Sequence, residues 1–117
     1  TSRAVLPSVK FEREIIEFLR ELKRAYSSLE IEGPLVLLYS LFNVRGAQLG
    51  VANSEWLNEG DGFFDRNQIL LPDVILEESE QDEGKALRPL FNMVWNAAGY
   101  RASLNYDVNS GIWIARQ

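Results

Sequence analysis

Residues 67–84 read NQILLPDVILEESEQDEG, and the fold turns on what Pro72 does to the hydrophobic run around it. The valine, isoleucine and leucine residues on either side of it predict strand. This is one long strand or two short ones broken at Pro72; proline cannot donate to a β ladder, so the segment is an edge strand or is bent there. The same stretch holds six acids, Asp73, Glu77, Glu78, Glu80, Asp82 and Glu83, and no base. A calcium loop would need oxygen ligands at fixed odd spacings around a central glycine and a closing glutamate. Here Gly84 comes after the acids, so the spacing fails. Acids just before a helix complement its dipole, and Ser79 with Asp82 resembles a capping box. The run is therefore read as a strand end passing into a helix start, with metal binding and an acidic docking patch as the alternatives.

Downstream, KALRPLFNMVWNAAGY (85–100) places Leu87, Leu90, Phe91, Val94, Trp95 and Ala98 on one helical face, and Gly99 where a helix-ending glycine belongs. Pro89 fits only in a first turn or after a separate short turn over residues 84–88. SLNYDVNSGIWIARQ (103–117) predicts a hairpin turning at Asn109, Ser110 and Gly111.

Upstream, PLVLLYSLFNVRGAQLGV (34–51) predicts strand, turn, strand, with turn chemistry from Asn43 to Gly46. Leu35 to Leu38 are apolar on both faces, which predicts a central strand covered on each side. The connection ANSEWLNEGDGFFD (52–65) carries Trp56, Phe63 and Phe64, more hydrophobe than a free loop needs. It is expected to fold back on the body or to meet a partner. The N-terminal SVKFEREIIEFLRELKRAYSS gives a helix with Phe11, Ile15, Phe18, Leu19, Leu22 and Tyr26 inward and its charges, Glu12 among them, outward. Ser8 is its expected N-cap.

These elements predict an α+β domain. A largely antiparallel sheet carries two amphipathic helices packed mainly on one face. The 117 residues suffice for one globular domain with its own core. A hydrophobic content of 46% with three Trp, four Tyr and six Phe argues against disorder. The chain opens at Thr1 and is read as an excised or C-terminal domain of a longer, cytoplasmic protein. No apolar run approaches the ~20 residues that span a bilayer.

Histidine and cysteine are both absent. That removes Ser-His-Asp triads, thiolate nucleophiles and His- or Cys-ligated metals. The net charge of −5 disfavours direct nucleic-acid binding, for which Arg13, Arg20, Lys23 and Arg24 would have to line up beside an exposed aromatic. The loop acids Glu55, Glu59, Asp61 and Asp65 could pair for glycoside hydrolysis, but nothing positions them. NVRGAQLG lacks the glycine and lysine spacing of a phosphate loop.

LLYSLFNVRGAQLGV, DRNQILLPDVILEE and LRPLFNMVWNAAGYRASLNYD, in this order, resemble the C-terminal region of bacterial proteins that carry a Schlafen-like, AlbA-type DNA- or ATP-binding domain. The likeness covers most of residues 34–107. DRNQILLP, LRP and WNAAG are its most particular words, and none is a catalytic motif. The nucleotide-binding motifs of such proteins lie in their other domain, so the resemblance implies an accessory domain of a larger regulatory protein.

The expected function is thus a non-catalytic interaction or regulatory domain acting through protein–protein contacts, including self-association, with no cofactor. Its candidate surface combines Trp56, Phe63 and Phe64 with the sheet edge at Pro72. The alternative is a small ligand-binding or enzymatic domain using loop carboxylates with Arg45, Arg66 or Tyr39 around a deep pocket.

Overall fold

The computed structural model describes residues 5–50, 62–77 and 82–114. A short strand β1 (Val5–Pro7) leads directly into the helix α1 (Ser8–Ser28). Three strands follow on one outgoing arm: β2 (Leu35–Leu37), β3 (Ser40–Phe42) and β4 (Gln48–Gly50). The returning arm carries β5 (Gln68–Leu70) and β6 (Val74–Leu76), and α2 (Glu83–Ala97) comes after it. The fold is α+β.

The two arms form one long antiparallel ribbon. β2 pairs with β6, with Val36 opposite Ile75, and β3 pairs with β5, with Leu41 opposite Ile69. Farther along, the Phe64 and Ala47 backbones meet at 2.9 Å, and Gln48 bridges Phe63. Between the two ladders, Leu38 and Tyr39 on the outgoing arm face Leu71, Pro72 and Asp73 on the other. One extra residue opposite two is a β-bulge, and it sits at the proline that cannot donate. The run therefore divides into two short strands at Pro72.

Two corrections to the sequence reading concern the strands. Asn43 to Gly46 do not reverse the chain, because β3 and β4 do not pair with each other. Asn43 and Gly46 adopt positive φ, 59° and 82°, and the Ala47 N–H bonds the Val44 carbonyl at 2.8 Å. That tight turn kinks an arm which then continues. The second correction is β1, absent from the sequence reading, which pairs parallel to β4 with Leu6 opposite Leu49.

The helices differ in how they begin and agree in how they end. Ser8 is the first residue of α1, not its cap; Pro7 takes the cap position and makes no side-chain capping hydrogen bond. Asp82 caps α2, its carboxylate accepting from the Lys85 N–H at 3.1 Å. At the far end of α2 the Tyr100 N–H reaches the Trp95 carbonyl and the Gly99 N–H the Asn96 carbonyl. This is a Schellman stop around Gly99 at φ 94°, completed by the Trp95 and Tyr100 rings 5.1 Å apart. α1 ends with the same pair of bonds, from Ile31 to Tyr26 and Glu30 to Ser27, but with Glu30 in the left-handed position. Pro89 lies inside α2, contrary to expectation, and the helix tolerates it because Pro89 and Lys85 are both on the solvent side.

Both helices pack on one face of the ribbon. Leu19 from α1, Leu87, Leu90, Phe91 and Trp95 from α2, and Leu49 and Leu76 from the ribbon are essentially inaccessible. Burying one such side chain is worth ~1.5–3 kcal/mol, so this shared core holds the three elements together. Chain end and helices are joined by a small hairpin bridging Tyr106 and Trp113, whose turn is held by the Asp107 carboxylate accepting from Ser110. Among the described residues no helix is long and apolar enough to cross a membrane.

Candidate interaction face

Side chains alternate across a strand, so each arm presents two sets. On the outgoing arm Leu35, Leu37, Tyr39 and Leu41 turn toward the helices, where Phe11 meets the Tyr39 ring edge-on at 6.1 Å. Val36, Leu38 and Phe42 alternate with them and are 58%, 69% and 62% exposed. On the returning arm Ile69, Leu71, Val74 and Leu76 are buried. The bulge at Pro72 slips the phase by one residue, and Leu70 and Ile75 emerge outward at 65% and 60% exposure. Val36 stands directly opposite Ile75, and Leu70 opposite Ser40. The outcome is a sheet face of five large apolar side chains with Ser40 and Gln68 between them, and Asp73 at the bulge as its one charge.

This corrects the expectation that residues 35–38 are covered on both sides. Their apolar character on two faces was legible; the structure supplies cover for only one. Single exposed hydrophobes are ordinary, but a contiguous group on one sheet face is not.

The residues expected to form the surface are distributed differently. Phe64 is 2% exposed and belongs to the core, because the loop end folds back along β4, so it is withdrawn as a contact residue. Phe63 is half-buried beside Gln48. Pro72 is half-buried in the bulge and adjoins the exposed face through Leu70 and Ile75. Trp56 lies outside the described residues, as do Glu55, Glu59, Asp61, Glu78, Ser79 and Glu80.

A second constellation escaped the sequence reading. Glu12, assigned to the polar side of its helix, is fully buried. Its carboxylate accepts from Trp95 Nε1 at 2.7 Å, Trp113 Nε1 at 2.8 Å, Asn105 Nδ2 at 2.9 Å and Ser103 Oγ at 2.9 Å. Every partner donates and none is a cation. Burial pushes the carboxyl above its ordinary value, and the bonds from Trp113, Asn105, Trp95 and Ser103 pull it back without cancelling the rise. One group thus ties α1 to α2 and to the terminal hairpin. Nearby, the Tyr106 hydroxyl donates to the Gly84 carbonyl, and burial with the adjoining Glu12 charge raises its pKa.

The acid run separates into distinct roles. Asp73 and Glu77 are exposed, Asp82 caps α2, and Glu83 is buried against Arg20 Nε at 2.9 Å and Lys23 Nζ at 2.7 Å. Burial pushes Glu83 up, but the bonds from Lys23 and Arg20 outweigh it and hold the carboxyl below its ordinary value. Arg20 and Lys23 are thereby engaged within the chain, and Arg13 lies over the Trp113 ring at 5.9 Å. A cleft of about 410 Å³ runs between α1 and residues 31–35, lined by Lys23, Arg24, Tyr26, Ile31 and Glu77. Neither Arg45 nor Arg66 lines it, and Tyr39 lies in a separate hollow beside Phe18. Among the described residues no three acidic groups converge as a metal site would require.

Comparison with known proteins gives no match to a family model, to a curated protein or to a solved structure.

Proposed function

We propose that this chain is a non-catalytic interaction module whose working surface is the outer face of the ribbon. The observation that carries the reading is the group Val36, Leu38, Phe42, Leu70 and Ile75, large apolar side chains exposed together on one sheet face. Catalysis has less support: among the described residues Glu12, Glu83 and Tyr106 have shifted titration, and each has its polar atoms engaged by neighbours inside the body. The proposed docking surface is thus the ribbon, with Pro72 on its border and Phe64 excluded by burial. In a longer regulatory chain of the Schlafen-like kind that residues 34–107 resemble, such a module would supply contacts while another domain acts on the ligand.

The test is the response of an anilinonaphthalene dye to dilute, folded protein. Wild type should enhance its fluorescence, and Ile75→Asp should remove the enhancement while leaving the melting temperature within about 2 °C, since surface changes have small effects. A single-copy wild type that gives no enhancement would overturn the reading.

A further inference from the structure

We infer that the occupant of this face is a second copy of the chain, stacked face to face across a two-fold axis. The inference rests on the docking reading above and names its partner. Area is the first argument. At the exposures of the five residues, each copy presents roughly 600 Å² of surface, so a stacked pair that covered all of it would remove about 1,200 Å² from water, the lower limit of specific interfaces.

Chemistry is the second argument. Residues 35–42 and 68–76 contain no lysine or arginine, so the face lacks the cations that a nucleic-acid backbone or an anionic membrane would recruit. The chain carries a net charge of −5, and two copies repel wherever their acids meet. A face whose strands carry one acid, Asp73 at the bulge, lets them approach with little repulsion, and a self-complementary apolar patch is what a two-fold contact uses. Asp73 projects at the bulge, beside a proline without an N–H. Together they disfavour strand addition at that point of the returning arm.

The experiment is the solution mass by light scattering from micromolar to submillimolar concentration, with the dye response read on the same samples. Wild type should rise from 13.3 kDa toward twice that value. Ile75→Asp and Leu38→Asp should each weaken pairing at least tenfold with unchanged circular dichroism, because each would bury an unpaired carboxylate. Val108→Asp, at a position 86% exposed but off the face, should pair as wild type does. A wild type that stays single-copy throughout yet binds dye overturns the pairing and leaves the docking face standing. A single-copy protein without dye response overturns both. Pairing that survives Ile75→Asp and Leu38→Asp, or that is lost with Val108→Asp, places the contact elsewhere and overturns the inference.

Discussion

Glu12 shows how one residue can escape a pattern yet govern packing. At helical spacing it belongs with Ser8, Ile15, Ile16 and Leu19 on the buried stripe, but its charge argued for the outside. Only partners 83 to 101 residues away make burial tolerable, and no local signal reports them. Truncation to Ala would strand several buried donors at ~1–3 kcal/mol each, offset by release of a desolvated charge. Glu12→Ala should therefore lower stability by roughly 2–4 kcal/mol, and Glu12→Gln by less, since one carbonyl acceptor remains. The pH dependence separates Glu12 from Glu83. A raised carboxyl stabilises fully below the ordinary value of 4.5, and that contribution is lost as pH rises through its folded pKa. A lowered one stabilises above 4.5 and loses its contribution as pH falls through its folded pKa. Wild type should thus lose ground to Glu12→Gln as pH rises above 4.5, and lose ground to Glu83→Gln as the medium is acidified below 4.5. Parallel melting curves across that range would sink the assignment of opposite roles.

Elements were legible where their signals are local. The face of α2 and its Gly99 stop follow from spacing alone, and Pro72 marked the break between β5 and β6. The turn residues of 43–46 were read correctly as chemistry and wrongly as topology. Left-handed positions at Asn43 and Gly46 serve a kink as readily as a reversal, and the choice depends on the distant arm at 62–70. β1 offered three residues and a partner more than forty positions away. Pro89 shows an element overriding a local rule. It removes one bond from α2 and survives because the packed opposite face, Leu87, Leu90, Phe91 and Val94, holds the helix in place. Proline costs a helix interior ~3 kcal/mol relative to Ala, part of which relaxed geometry and solvation of the Lys85 carbonyl already recover. Pro89→Ala should raise stability by about 1–2 kcal/mol, read as a shift in the denaturant midpoint at constant slope. No gain, or a loss, would mean that a straighter helix disturbs the packing beneath it.

At the scale of the whole molecule, charge and apolar surface act in opposite senses. The net charge of −5 is a property of the entire chain, whereas the ribbon face holds one acid among five large hydrophobes. Two such molecules are pulled together by a short-range force that salt does not screen, and held apart by a longer-range one that salt screens. Electrostatic reach contracts from ~30 Å at 0.01 M to ~8 Å at 0.15 M ionic strength. Association through the face should therefore strengthen several-fold as sodium chloride rises over that interval. Sulfate should strengthen it further, because excluded salts favour apolar burial. A pair held instead by Arg20, Lys23 or Arg24 meeting acids of the other copy would weaken over the same titration. The sign of the salt dependence thus tells an apolar contact from an ionic one before any residue is changed. Dissociation on adding salt would move the interface off the ribbon and onto the charged side of α1.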